Sequence, residues 1–181
     1  MSVKITYFVH GTTTDNLQDL ATGWEQGELS EKGITQSIEL ANLVSHLNFD
    51  VIICSDLKRA IDSANYAFKN KYPIIQDKRI REANYGDFTL KPSKEFKDRL
   101  VEYIDKPFPN GESYKDVEKR MLDFINYLKK EYDGKHIGIV AHQAPQLALD
   151  VLLNKKTWKE AIEEDWRLSK AWRPGWEYSI E

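Results

Sequence analysis

Three short and almost wholly apolar runs, Val3–Val9, Val51–Cys54 and His136–Ala141, do most to constrain the fold of this chain. They are rich in β-branched and aromatic residues and too short for core helices. Unbroken apolarity of this kind suits strands buried on both faces of a sheet. Between them lie segments in which apolar residues recur at helical intervals. Strand, helix and strand again in sequence calls for parallel pairing, because a parallel partner is reached only through a crossover. The expected class is therefore α/β with a mostly parallel central sheet.

The first helical stretch opens at Ser30-Glu31-Lys32-Gly33 and carries Ile34, Ile38, Ala41, Leu43 and Leu47 toward an end near Asn48-Phe49-Asp50. Ser55-Asp56 reads as the cap of a second helix bearing Leu57, Ile61, Ala64 and Phe68. A short strand is expected around Tyr72 to Ile75, then the irregular stretch Arg79 to Asp87. From Ser93 to Asp105, Phe96, Leu100 and Tyr103 suit a short helix closed by Lys106-Pro107-Phe108-Pro109, and residues 87–108 read as an insertion over the sheet edge and the site. Ser113 to Asp116 is close to a capping box, opening a long helix with Val117, Met121, Phe124, Ile125 and Leu128 inward. Pro145 fits the first turn of a last helix, Gln146 to Leu153. The tail, residues 165–181, is aromatic through Trp166, Trp172, Trp176 and Tyr178, and either packs on the sheet edge or closes over a site as a lid.

At 181 residues the chain is expected to form a single domain, 1–181. It has no apolar stretch near the roughly 20 residues that cross a bilayer and no secretory leader pattern, so a cytoplasmic location with no membrane partner is expected. The net charge is −3, with both signs interspersed, which disfavours nucleic acid as a partner. Cys54, the single cysteine, lies in an apolar run and suits a small buried residue. His10, His46, His136 and His142 show no metal-ligand spacing, so neither a metal nor another cofactor is expected.

Two of those histidines occupy equivalent places. His10 follows the first apolar run and His142 follows the last, and ligands of open α/β sheets bind beyond the carboxyl ends of strands. Around them lie Val9-His10-Gly11 with Asn16, Thr22-Gly23-Trp24 running to Leu29-Ser30-Glu31-Lys32-Gly33, and Ser55-Asp56-Leu57-Lys58-Arg59-Ala60. Arg81-Glu82 with Tyr85-Gly86, Pro109-Asn110-Gly111-Glu112-Ser113 and Val140-Ala141-His142 complete the set. In order and spacing these pieces resemble the histidine phosphatases, the phosphoglycerate mutase-like superfamily, over nearly the whole chain. The resemblance implies a three-layer α/β/α sandwich and catalysis through a phosphohistidine. By position His10 is the expected nucleophile and Glu82 the acid that protonates the leaving alcohol. Arg59, Asn16 and His142 are expected to hold phosphoryl oxygens, with Thr13, Thr22, Gly23, Gln143 and Arg81 as further phosphate- or substrate-binding candidates. Chemistry agrees: imidazole can be phosphorylated and then attacked by water, and guanidinium forks suit phosphoryl oxygens.

The family pattern has arginine before the nucleophile, whereas this chain has Val9. A hydrogen bond to a charged group is worth about 1.5–3 kcal/mol, so another cation is expected to replace it, with Arg81, Lys58 and Arg173 as candidates. Thr12 and Gln143-Ala144 also depart from the pattern. The insertion is short, and its Lys91, Lys94, Lys97, Arg99 and Lys106 are partly balanced by acidic residues. The expected activity is thus hydrolysis of a small phosphorylated metabolite. Mutase-type phosphoryl transfer, and a weakly active or non-catalytic phosphoester-binding relative, are the alternatives.

Overall fold

The computed structural model describes residues 2–181. Five strands, β1 (Val3–Val9), β2 (Val51–Cys54), β3 (Ile74–Gln76), β4 (His136–Ala141) and β5 (Trp176–Ile180), form one sheet in the order β3-β2-β4-β1-β5. All neighbours are parallel except β5, which runs antiparallel along β1. The helices are α1 (Thr14–Leu17), α2 (Glu31–Leu43), α3 (Lys58–Phe68), α4 (Tyr114–Glu131), α5 (Gln143–Leu152), α6 (Trp158–Glu163) and α7 (Trp166–Ser169). Among the described residues no helix is long and apolar enough to cross a membrane.

Alternation along the strands divides the core between two faces. Ile5, Tyr7, Ile53 and Ile139 pack with Met121 and Phe124 of α4 and Leu147 of α5. Their chain neighbours Phe8, Ile52, Cys54 and Val140 pack with Leu40 of α2 and Ala64 and Phe68 of α3. Helices therefore cover both faces, and the three layers follow. The long helix α4 begins as read, with a complete Ser113–Asp116 capping box and Val117, Met121, Phe124, Ile125 and Leu128 buried.

Several local expectations are corrected. The buried face of α2 is Gly33, Ser37 and Leu40, whereas Ile38 and Leu43 are 49% and 50% exposed. The helix also stops at Leu43 rather than near Asn48, so that the chain can turn and bring Phe49 back under the sheet. Small residues line α2 because the backbone before it lies directly against the helix start. A Cβ on Gly33 would fall 2.1 Å from the Thr12 carbonyl oxygen, and one on Gly11 2.3 Å from that of Gly33. Ser55-Asp56 does not cap α3; its N-cap is Leu57, without a side-chain cap hydrogen bond. The helix after β4 starts at Gln143, three residues earlier than expected, with Pro145 in its first turn. The third strand is confined to Ile74–Gln76, and the 93–105 segment is a pair of 3₁₀ turns, kinked at Arg99, that buries Phe96, Leu100 and Tyr103. The aromatic tail supplies a strand that the sequence reading did not separate: Trp176 lies opposite Tyr7, and its ring stacks on Trp166 at 4.8 Å.

The face assignment of α2 has a measurable consequence. Ile38→Ser is expected to change unfolding free energy by no more than about 0.5 kcal/mol, whereas Leu40→Ala is expected to cost about 2–5 kcal/mol. Urea denaturation of the two variants checks this, and a larger loss at Ile38 would reverse the assignment.

Candidate active site

The β1–β4 register pairs Val9 with Ala141, so His10 and His142 stand side by side one residue past the paired ends. Their ring centroids are 5.0 Å apart. Tyr7 fixes this arrangement: its hydroxyl donates to the His142 carbonyl at 2.6 Å and accepts from the His142 N–H at 3.0 Å. Burial raises the Tyr7 pKa well above its ordinary value, so the phenol keeps the proton it donates.

His10 Nδ1 donates to the Gly11 carbonyl at 2.8 Å, leaving the Nε2 lone pair for other use. Burial first, and the Arg59 guanidinium second, push the His10 pKa down to about 3. The imidazole is thus neutral and nucleophilic at neutral pH. The loop carrying it is pinned by a Gly11 N–H to Ser63 Oγ bond of 2.9 Å and by the close Gly11–Gly33 approach. His142 is buried and neither ring nitrogen has a hydrogen-bond partner, while burial and then Arg59 hold its pKa well below the ordinary histidine range. Imidazole nitrogens buried without partners are costly in isolation.

Arg59 enters from α3 and is buried; its two terminal nitrogens donate to the carbonyls of Gly23 and Glu25, each at 2.8 Å. It thereby fixes the Thr22–Glu25 loop, helped by a Thr22 hydroxyl bond to Asp15. Glu82 is 8% exposed and makes no ion pair with Arg79 or Arg81, which are held by Asp77 and Asp56. Instead its Oε1 accepts the N–H groups of Ala83 and Ala144, each at 2.9 Å, and its Oε2 accepts that of Gln143 at 3.2 Å. Glu82 therefore caps the start of α5, the helix that follows His142. Arg120 secures the backbone on either side by donating to the carbonyls of Arg79, Arg81 and Glu82 while paired with Glu112.

These groups line one cavity of about 330 Å³. His10, Arg59, Glu82 and His142 meet there, and Asn16, Thr22, Gly23 and Gln143 are among the other residues of its walls. Two candidates lie off that wall. Thr13 is fully buried as the N-cap of α1, bonded to the Asn16 N–H. Arg81 forms a two-point pair with Asp56 and lies over the Trp24 ring. Of the other proposed substitutes for the missing arginine, Lys58 is paired with Glu28 and Asp62, and Arg173 lines an adjoining cavity of about 480 Å³ whose wall also includes Val9, His10 and Trp166. The tail contributes a cation that sequence reading missed, Arg167 of α7, which lines the first cavity. No local motif marks it. Tyr7 and Arg120 were also missed; Tyr7 carried a usable signal, since a buried tyrosine in a two-faced strand needs a hydroxyl partner.

Among the described residues there is no group of three or more histidine, cysteine, aspartate or glutamate side chains that could hold a metal ion. The model of the histidine phosphatase superfamily (branch 1) matches residues 7–176. The chain is 32% identical over 143 residues to the uncharacterized phosphatase PhoE of Bacillus subtilis (strain 168), covering 77% of this chain and 72% of that one. It is 36% identical over 92 residues to the 2,3-bisphosphoglycerate-dependent phosphoglycerate mutase of Lactococcus lactis subsp. cremoris (strain MG1363), covering 48% of this chain and only 40% of the mutase. In fold it resembles the alpha-ribazole phosphatase of Shigella flexneri, with a TM-score of 0.76 at 24% identity over 90% of this chain and 84% of the other.

Two outcomes follow from the site geometry. In ¹⁵N NMR, His10 is expected to remain in its neutral Nδ1–H form between about pH 5 and 8, where an ordinary histidine titrates near 6.5; a midpoint near 6.5 would contradict the burial argument. Tyr7→Phe leaves the His142 N–H and carbonyl without their buried partner. It is expected to lower stability by about 2–3 kcal/mol in denaturant titration.

Proposed function

The chain belongs to branch 1 of the histidine phosphatase superfamily, and we propose that it is a phosphomonoester hydrolase acting on a small phosphorylated metabolite through a phosphohistidine. One observation carries the reading: a neutral His10, with Nε2 free, faces the same cavity as Arg59, Glu82 and His142. His10 Nε2 attacks phosphorus as the ester P–O bond breaks, and the leaving oxygen takes a proton from Glu82. Oε2 is the atom suited to carry that proton, because Oε1 already accepts two short N–H bonds while Oε2 accepts one long one. Water then attacks the phosphohistidine, the P–N bond breaks, and Glu82 recovers its proton from the water as inorganic phosphate forms. Arg59 and the single N–H of neutral His142 are placed to hold the phosphoryl oxygens, where charge spreads in the transition state.

Transfer to water rather than to a second phosphorylated substrate is supported by the insertion. Of its basic residues only Lys97 lines the cavity, whereas a second phosphorylated acceptor calls for several cations. The proposal includes Asn16, Thr22, Gly23 and Gln143 as walls for the remainder of the substrate. Thr13 and Arg81 then act by holding neighbouring loops.

Phosphate release from p-nitrophenyl phosphate and a panel of alkyl phosphomonoesters tests the reading. His10→Ala is expected to lower release at least about 1000-fold. Glu82→Gln is expected to cost about 100- to 10,000-fold on alkyl esters, whose leaving oxygen needs a proton, and far less on p-nitrophenyl phosphate, whose leaving group departs as the anion. Hydrolysis that survives His10→Ala, or no release by the wild type from any ester, would overturn it.

A further inference from the structure

The cavity offers few uncommitted donors to a phosphoryl dianion. Both histidines are neutral, Glu82 is an anion when ionised, and two of the Arg59 donors are already committed to Gly23 and Glu25. Val9, at the end of β1, adds no donor to the wall. A second guanidinium nevertheless reaches the same cavity from the C-terminal tail.

Arg167 is built into place rather than left as a solvated side chain. One terminal nitrogen donates to Asp165 at 2.9 Å, the other to Gln146 at 3.1 Å, and the guanidinium lies 4.4 Å from the centre of the Trp166 ring. Asp165 and Gln146 are themselves buried, and Asp165 is further bonded by the Gln143 side chain beside His142. These contacts use only two of the five guanidinium N–H groups. The remaining donors have no protein partner among the described residues. They belong to a side chain that lines the cavity with His10 and His142. His142, whose ring nitrogens have no protein partner, lines the same space and has one N–H to offer there.

We propose that Arg167 is a phosphoryl-binding residue, donating to the oxygens of the substrate phosphate in place of the guanidinium that Val9 does not supply. The inference rests on the hydrolase reading, and it assigns to α7, a segment next to the sheet edge, the completion of the anion site. Asp165, Gln146 and Trp166 act as positioning residues that fix the plane of the fork. With one N–H of each terminal nitrogen committed to Asp165 and Gln146, the three that remain are available to phosphoryl oxygens, a planar donor set that lysine cannot reproduce.

Inhibition by inorganic phosphate and turnover of p-nitrophenyl phosphate are measured for wild type, Arg167→Ala, Arg167→Lys and the double variant Val9→Arg/Arg167→Ala. Arg167→Ala is expected to weaken phosphate binding by about 10- to 100-fold, the value of a charged hydrogen bond, with a matching fall in kcat/KM. Arg167→Lys should recover only part of the loss, and Val9→Arg should restore at least about tenfold of it, because a guanidinium returns from the other wall. Circular dichroism establishes which variants are folded; if Arg167→Ala is not, Arg167→Lys and the double variant decide. Phosphate affinity within threefold of wild type in folded Arg167→Ala, or in Arg167→Lys where the alanine variant does not fold, would overturn the inference. Phosphate binding needs no turnover, so the assignment of Arg167 can fail while hydrolysis stands, and it can hold while hydrolysis fails.

Discussion

The parallel pairing of β1 with β4 is the constraint on which the site depends. Because Val9 and Ala141 are partners in the ladder, the residues that follow them leave the sheet at the same level and on the same edge. A slip of one residue would turn Tyr7 and Ile139 toward the opposite helical layer, since side chains alternate strictly along a strand. The two core clusters therefore police the register, one through Ile5 and Tyr7, the other through Phe8 and Val140. Tyr7 then does in one side chain what neither cluster can: its ring fills the core while its hydroxyl closes both backbone groups of His142. Nucleophile placement and core packing are in this sense a single problem.

The electrostatic design follows from depth. A buried imidazole resists protonation because its charged form loses solvent, and a nearby guanidinium adds repulsion. For His10 both effects act together, so its imidazole needs no separate base to keep its lone pair. The same surroundings make the free site poor at holding cations on its histidines. In the proposed hydrolase a phosphoryl dianion reverses the balance by drawing on Arg59 and on the one N–H of neutral His142. Glu82 is kept out of competition by the start of α5, whose backbone N–H groups occupy it and fix its direction.

What sequence alone revealed divides by the range of the interactions. The apolar runs disclosed the central strands because burial on both faces leaves no alternative pattern, and the capping box of α4 disclosed its start because that bond is local. The face of α2 was misread because the inner side is made of Gly33 and Ser37, chosen for the backbone that crosses them rather than for hydrophobicity. Apolar Ile38 and Leu43 sit outside, so periodicity pointed the wrong way. His10, Arg59, Glu82 and His142 were recognisable as a set only through the family's spacing. Their convergence depends on crossovers that no local pattern encodes. Arg167 had no signal at all, because its role arises from where α7 docks and from Asp165 and Gln146 meeting it there.

That docking changes what it means to complete the site. A cation carried at the end of a central strand is in place once the first ladder forms. A cation carried on α7 is held instead by Asp165, by Gln146 of α5 and by the Trp166 ring, which in turn stacks on Trp176 of β5. The last strand of the chain thus touches the proposed Arg167 site through one contact, the stack of Trp176 on the ring that lies under the guanidinium. An edge strand is an exposed and replaceable element in most sheets. Here its aromatic residues give it a second task, and the clustering of tryptophans in the tail has a physical reason. Large flat rings fix a short helix that has too few turns to hold itself, and they do so within reach of the nucleophile.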